Sequence, residues 1–106
     1  MVFNTGAALL DAIVLAVVSR TEEGTYGYKI TQDVRETIEV SESTLYPVLR
    51  RLQKDGCLEV YDRQYDGRNR RYYKVTGAGR KKLDMYRTEW TQYISKINQL
   101  FAGGEE

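Results

Sequence analysis

The sequence predicts a mainly α fold with one small β-hairpin (α+β), in which three helices are followed by two strands and one long closing helix. Three observations carry that expectation. Residues 7–18 are apolar almost without interruption, Leu45, Val48, Leu49 and Leu52 recur at helical spacing, and residues 57–75 alternate in period two around an Asp-Gly pair.

The first element, AALLDAIVLAVV, is apolar around nearly its whole circumference, which is the pattern of a helix buried on more than one side. Asp11 alone interrupts it, and Asn4 or Thr5 stands where an N-cap belongs. A polar loop, SRTEEGTYG, follows. Ile30, Val34 and Ile38 then recur every fourth residue and mark one face of a second helix, whose first turn holds Tyr26, Gly27, Tyr28 and Lys29.

The third helix has the fullest set of signals. Ser41 and Ser43 are candidate N-caps, the Leu45/Val48/Leu49/Leu52 stripe follows i, i+3, i+4, i+7, and Gly56 sits where a helix stops. Glu42 and Lys54 suit the two ends of the helix dipole. Pro47 breaks the pattern about one turn in, where a lost donor and a clash cost up to ~3 kcal/mol. Such local violations mark functional positions.

CLEVYDRQY at 57–65 alternates as a strand, with Leu58 and Val60 on one face and Tyr61, Arg63 and Tyr65 on the other. RRYYKV at 70–75 reads as the returning strand, so the expected tip is Asp66, Gly67, Arg68 and Asn69. Thr76 caps a last helix in which Leu83, Tyr86, Trp90, Tyr93, Ile97 and Leu100 follow steps of three and four, a coiled-coil-like seam. The division expected is a reading unit at 1–75, a dimerisation helix at 76–102 and a disordered tail at 103–106.

Composition narrows the function classes. A 106-residue chain is one domain with a modest core, so a long apolar helix calls for a partner. Sixteen basic residues face fifteen acidic ones, but residues 1–49 hold three basic and seven acidic side chains whereas residues 50–74 hold eight and four. The basic character is therefore local. The chain has no histidine and a single cysteine, Cys57, which excludes an internal disulfide and removes the commonest general base and metal ligand. Cys57 reads as a small buried residue, and the acidic pairs Glu22/Glu23 and Glu105/Glu106 have no metal-ligand spacing. No cofactor, no metal and no enzymatic activity are expected, and the absence of an export signal or a ~20-residue apolar span points to the cytoplasm.

This element order is that of a winged helix-turn-helix plus a long C-terminal helix. A helix fits the major groove of DNA, and a basic hairpin beside it can neutralise phosphates or enter the minor groove. Off its apolar stripe, the third helix offers Ser43, Thr44, Tyr46, Pro47, Arg50, Arg51 and Lys54. The expected partner is double-stranded operator DNA. The alternative is a winged-helix adaptor that binds another protein through the same surface.

GYKI at 27–30, TLYP at 44–47, RLQKDG at 51–56 and GRNRRYY at 67–73 occur in the order found in the PadR family of transcriptional regulators, and the chain resembles that family over roughly residues 8–101. The resemblance is to its smaller subfamily, including a lactococcal multidrug-binding member. It implies a homodimeric repressor of a pseudo-palindromic operator. It maps DNA contact onto Tyr28, Lys29, Ser43, Thr44, Tyr46, Pro47 and Arg50, with Gly67, Arg68 and Arg70 on the wing; Lys54, on the polar side of the third helix, joins the expected DNA-binding set. The apolar first helix and the seam of the last place the expected dimer interface on Leu9, Ile13, Leu83, Tyr86, Trp90, Tyr93, Ile97 and Leu100. A tryptophan in that multidrug-binding member sandwiches flat aromatic ligands, so Ala12, Glu89, Trp90, Tyr93 and Ile97 are candidate neighbours of a small planar aromatic effector. Trp90 as plain dimer core is the other reading. Asn69 stands where relatives often carry proline, and the link between the second and third helices lacks a glycine-rich insertion common in the family.

Overall fold

The computed structural model describes residues 5–103 and contains four α-helices and a three-stranded antiparallel sheet. Their order is α1 (Ala7–Val18), β1 (Thr25–Tyr26), α2 (Gly27–Arg35), α3 (Glu42–Lys54), β2 (Leu58–Tyr65), β3 (Arg68–Val75) and α4 (Gly77–Phe101). Helix α1 is the hub. It packs against α2, α3 and α4, which is why its apolar residues run nearly all the way round. Val14, Leu15 and Val18 meet Ile30 of α2, Leu45, Leu49 and Leu52 of α3, and Leu58, Tyr73 and Val75 at the base of the sheet.

Helix α1 starts with Gly6 at the N-cap; Thr5 lies in the preceding turn, and Asn4 is outside the described residues. Helix α2 is shorter than its period suggests. The N–H of Thr37 bonds the Val34 carbonyl three residues back, which tightens the last turn and leaves Ile38 exposed in the connection to α3. Helix α3 begins as expected, with Ser41 as the cap: its Oγ accepts from the Thr44 N–H at 3.2 Å. Gly56 follows the helix at φ +79°, the left-handed position that ends it.

The sheet differs from a bare hairpin in two ways. Tyr65 pairs with Arg68, so the turn contains Asp66 and Gly67 alone, both at positive φ (54° and 77°), and Arg68 and Asn69 belong to β3. That two-residue turn matches the twist of the strands and makes the longer tip unnecessary. The other difference is β1, whose Thr25 and Tyr26 pair with Tyr73 and Tyr72 on the far side of β3. Gly24 permits this approach, because a Cβ there would lie 2.4 Å from the Tyr73 carbonyl oxygen.

Thr76 caps α4, accepting from the Gly79 N–H at 3.0 Å while its hydroxyl donates to the Gly56 carbonyl at 2.6 Å. Helix α4 joins the core through the buried Gly79, Leu83 and Tyr86, with the half-buried Tyr93 packed against it. The end of the helix projects beyond it, with Trp90 partly exposed and Leu100 and Phe101 largely so. Of the expected disordered tail, residues 104–106 lie outside the described residues. No helix among the described residues is long and apolar enough to cross a membrane.

Candidate nucleic-acid interface

On α3 the spacing 43, 47, 50, 54 keeps Ser43, Pro47, Arg50 and Lys54 on one face, and all four are exposed. The buried stripe takes up the opposite side, so the helix presents polar groups outward without losing its core. The N-terminal hydroxyls are ordered. Ser41 Oγ lies 2.9 Å from Ser43 Oγ and 3.0 Å from Thr44 Oγ1. Pro47 lacks the N–H that would close on the Ser43 carbonyl, which frees an acceptor on the outward face. On that face water or a bound partner supplies the missing donor.

Tyr46 is half-buried, and its ring lies across the start of α2. A Cβ on Gly27 would fall 2.9 Å from Tyr46 Cε1 and 3.1 Å from its hydroxyl. Burial, reinforced by Glu42 and Tyr73, pushes the phenol up from its ordinary 10.0, so it stays a neutral donor at physiological pH. Tyr28 and Lys29 stand exposed on the first turn of α2. Gln32 Nε2 donates to Tyr28 Oη at 2.9 Å, and Lys29 Nζ donates to Asp33 at 2.8 Å. That hydrogen bond, with the carboxylate charge, raises the Lys29 pKa and fixes the ammonium on the surface.

The strand register sorts the wing's side chains. Tyr61 faces Tyr72, Arg63 faces Arg70 and Tyr65 faces Arg68, all on one side of the ribbon. Arg68 is exposed beside the turn and Arg70 is half-buried. Between the start of α2, Tyr46 of α3 and residues 69–71 of β3 lies an open cleft of about 440 Å³, with Tyr28 and Arg70 in its walls. Helix α2, the hairpin and, through Tyr46, helix α3 thus border one concave surface.

Arg51 is placed differently from the other arginines of α3. Its guanidinium is ion-paired with Asp11, a buried carboxylate on α1, and so is not one of the outward charges. Tyr86 of α4 donates to the second Asp11 oxygen at 3.3 Å. In the sequence Asp11 is only a flaw in an apolar run; an acid at a buried helix position was the signal that it needed a cation.

Leu83 and Tyr86 are buried inside the chain's own core, whereas Leu9 and Ile13 are half-buried on the exposed side of α1. With Ala12, Ala16 and Trp90 they border an apolar groove of about 190 Å³ between α1 and α4. Ala12 and Trp90 therefore meet there. Glu89, Tyr93 and Ile97 do not line this groove; Tyr93 lies next along α4, its ring centroid 6.1 Å from that of Trp90.

A three-helix reader with a wing and a long terminal helix matches known proteins in sequence as well as shape. Residues 14–85 match the model of the transcriptional regulator PadR-like family. The chain belongs to the PadR family. It is 40% identical over 81 residues to the transcriptional regulator Rv3488 of Mycobacterium tuberculosis, covering 76% of this chain and 72% of that one. Smu.1704 from Streptococcus mutans superimposes with a TM-score of 0.84 at 36% identity, over 100% of this chain and 98% of that one. The PadR-like regulator BC4206 of Bacillus cereus gives 0.79 at 28% identity, over 92% and 94%. This PadR protein is accordingly a DNA-binding transcriptional regulator and not an enzyme.

Proposed function

We propose that this PadR protein is a cytoplasmic homodimeric repressor that reads a pseudo-palindromic operator through α3 and grips the adjacent backbone with its wing. The observation that carries this reading is the cleft bordered by Tyr28, Tyr46 and Arg70, beside a helix whose outward face exposes Ser43, Pro47, Arg50 and Lys54. Thr44 and Tyr46 flank the bases, and Tyr28 and Lys29 the phosphates. Gly67 permits the tight turn that brings the wing tip to the groove.

Residues 1–75 act as the reading unit and 76–102 as the dimerisation helix. The exposed Trp90, Leu100 and Phe101 of α4 and the half-buried Leu9 and Ile13 of α1 support a partner along the groove between α1 and α4. Two such readers suit half-sites about one helical turn, ~34–36 Å, apart. A flat aromatic effector inserted beside Ala12 and Trp90 would relieve repression by favouring a different spacing of the readers.

A gel shift with the gene's own upstream DNA at two salt concentrations tests the reading. Tight, sequence-dependent binding that weakens with salt is expected. Equal retention of scrambled duplex, or none, would instead favour the protein-binding adaptor. Light scattering of the free protein should give twice the chain mass, and planar aromatic cations should quench Trp90 fluorescence.

A further inference from the structure

The Arg70 guanidinium carbon lies 4.0 Å from the ring centroid of Tyr26 and 4.0 Å from that of Tyr65. The strand register explains the arrangement. Tyr65 on β2 and Tyr26 on β1 sit diagonally on either side of Arg70, because Tyr65 pairs with Arg68 and Tyr26 with Tyr72. The sandwich is itself braced. Tyr72, one step further in, meets Tyr26 edge-on and stacks on Tyr61, both at 5.6 Å, and Arg63 covers Tyr72 at 5.1 Å.

A guanidinium is planar and carries five N–H donors in that plane. Rings against the guanidinium leave the donors directed outward from its edge. Among the described residues no carboxylate pairs with Arg70, although the adjacent Arg71 approaches Asp62 at 4.0 Å. Arg70 also borders the cleft between wing and recognition helix. Its donors thus form an ordered fork without a protein anion, facing the space assigned to DNA. The ligand that fits is a tetrahedral oxyanion accepting two parallel hydrogen bonds.

We infer that Tyr26 and Tyr65 are positioning residues that hold Arg70 edge-on for one backbone phosphate between the groove read by α3 and the groove entered by the wing. This inference rests on the DNA-reading proposed above. An exposed arginine gives up rotamer freedom on binding, and here the two rings have already removed part of it. Because Tyr26 is the residue immediately before α2 and Tyr65 is at the wing tip, the clamp also ties the wing's angle to the helical core.

The test uses the full chain and two duplexes, the upstream DNA and one of arbitrary sequence, with affinity measured across a salt series. Arg70→Ala should weaken both by about tenfold or more and lower the log–log salt slope by about one. Tyr65→Leu, at an exposed site, should weaken binding severalfold, Tyr65→Phe should restore it, and Tyr65→Leu should add nothing in an Arg70→Ala background. Tyr26→Leu should behave alike, with circular dichroism confirming the fold. Additive effects of Tyr65→Leu and Arg70→Ala would overturn the clamp, as would an unchanged slope for Arg70→Ala or a loss confined to one sequence. Failure of the unaltered protein to bind either duplex would instead remove the DNA reading, and the clamp with it.

Discussion

Asp11 of α1, buried in an otherwise apolar helix, is ion-paired with Arg51 of α3. Tyr86 of α4 donates to the same carboxylate, so three helices converge on one charge. A buried carboxylate is costly without its cation, whereas an arginine that is 42% exposed can turn to water. Arg51→Ala should therefore destabilise by about 3 kcal/mol, the low end for a broken buried pair, and by more than Asp11→Ala. The replacement Asp11→Leu/Arg51→Met/Tyr86→Phe, which also removes the hydroxyl that donates to Asp11, should return to within about 1 kcal/mol of the parent. Urea denaturation of the four proteins checks the order; equal losses from both alanine variants would contradict it.

Alkaline pH acts on the same core. Burial raises the Cys57 thiol above its ordinary 9.0 and the Tyr86 phenol above its ordinary 10.0, the latter helped by the Asp11 charge. Tyr46 is raised as well, again mainly by burial. A raised pKa means the folded state holds its proton more tightly, so the contribution is complete below the ordinary value and is lost as pH climbs through the raised one. Stability should be level from neutral pH to about 9 and fall beyond it, first through Cys57 and then through the tyrosines. Tyr86→Phe should flatten the fall above about pH 10 while lowering stability at pH 7 through its lost hydrogen bond. Urea midpoints across pH provide the readout, and an unchanged alkaline slope would refute the assignment.

What could be read from the sequence followed from how each signal arises. The α3 stripe, its serine cap and the Thr76 cap are local patterns, and local geometry fixed them. Strand β1 was not legible, because two residues carry no period and their pairing with Tyr72 and Tyr73 joins segments nearly fifty positions apart. The outward arginines of α3 were visible as a set, but nothing local to Arg51 distinguishes it from Arg50. What separates them is Asp11, forty residues earlier. Tyr26 and Tyr65 likewise gain meaning only once the register sets them about Arg70.

Gly27 and Tyr46 should show a coupling that reverses sign. An alanine at the first residue of α2 would ordinarily stabilise by ~0.5–1 kcal/mol, since glycine loses more backbone freedom on folding. Here its methyl would press on the Tyr46 ring at 2.9 Å, and that ring is half-buried, so it must shift. Gly27→Ala should be neutral or destabilising alone and stabilising in a Tyr46→Ala background, with a coupling of about 1 kcal/mol in a double-mutant cycle. It should also weaken DNA binding, since Tyr46 lies on α3, the helix proposed to read the groove. Additivity in both measurements would mean that the two residues do not constrain each other.

The start of α4 offers a contrast between two neighbouring glycines. A Cβ on Gly77 meets no heavy atom within 4 Å, so Gly77→Ala should stabilise the helix by ~0.5–1 kcal/mol. A Cβ on Gly79 would lie 2.2 Å from the Cys57 carbonyl oxygen and 2.8 Å from Val75 Cγ1. The carbonyl cannot yield easily, because it already accepts from the Thr76 N–H at 3.0 Å and belongs to the junction between α3 and β2. Gly79→Ala should therefore push α4 off the sheet and cost ~1–3 kcal/mol or more, the range for overpacking a tight contact. Thermal melts of the two variants should shift in opposite directions; a harmless alanine at Gly79 would show that α4 does not seat as closely on the Cys57 carbonyl as this geometry requires.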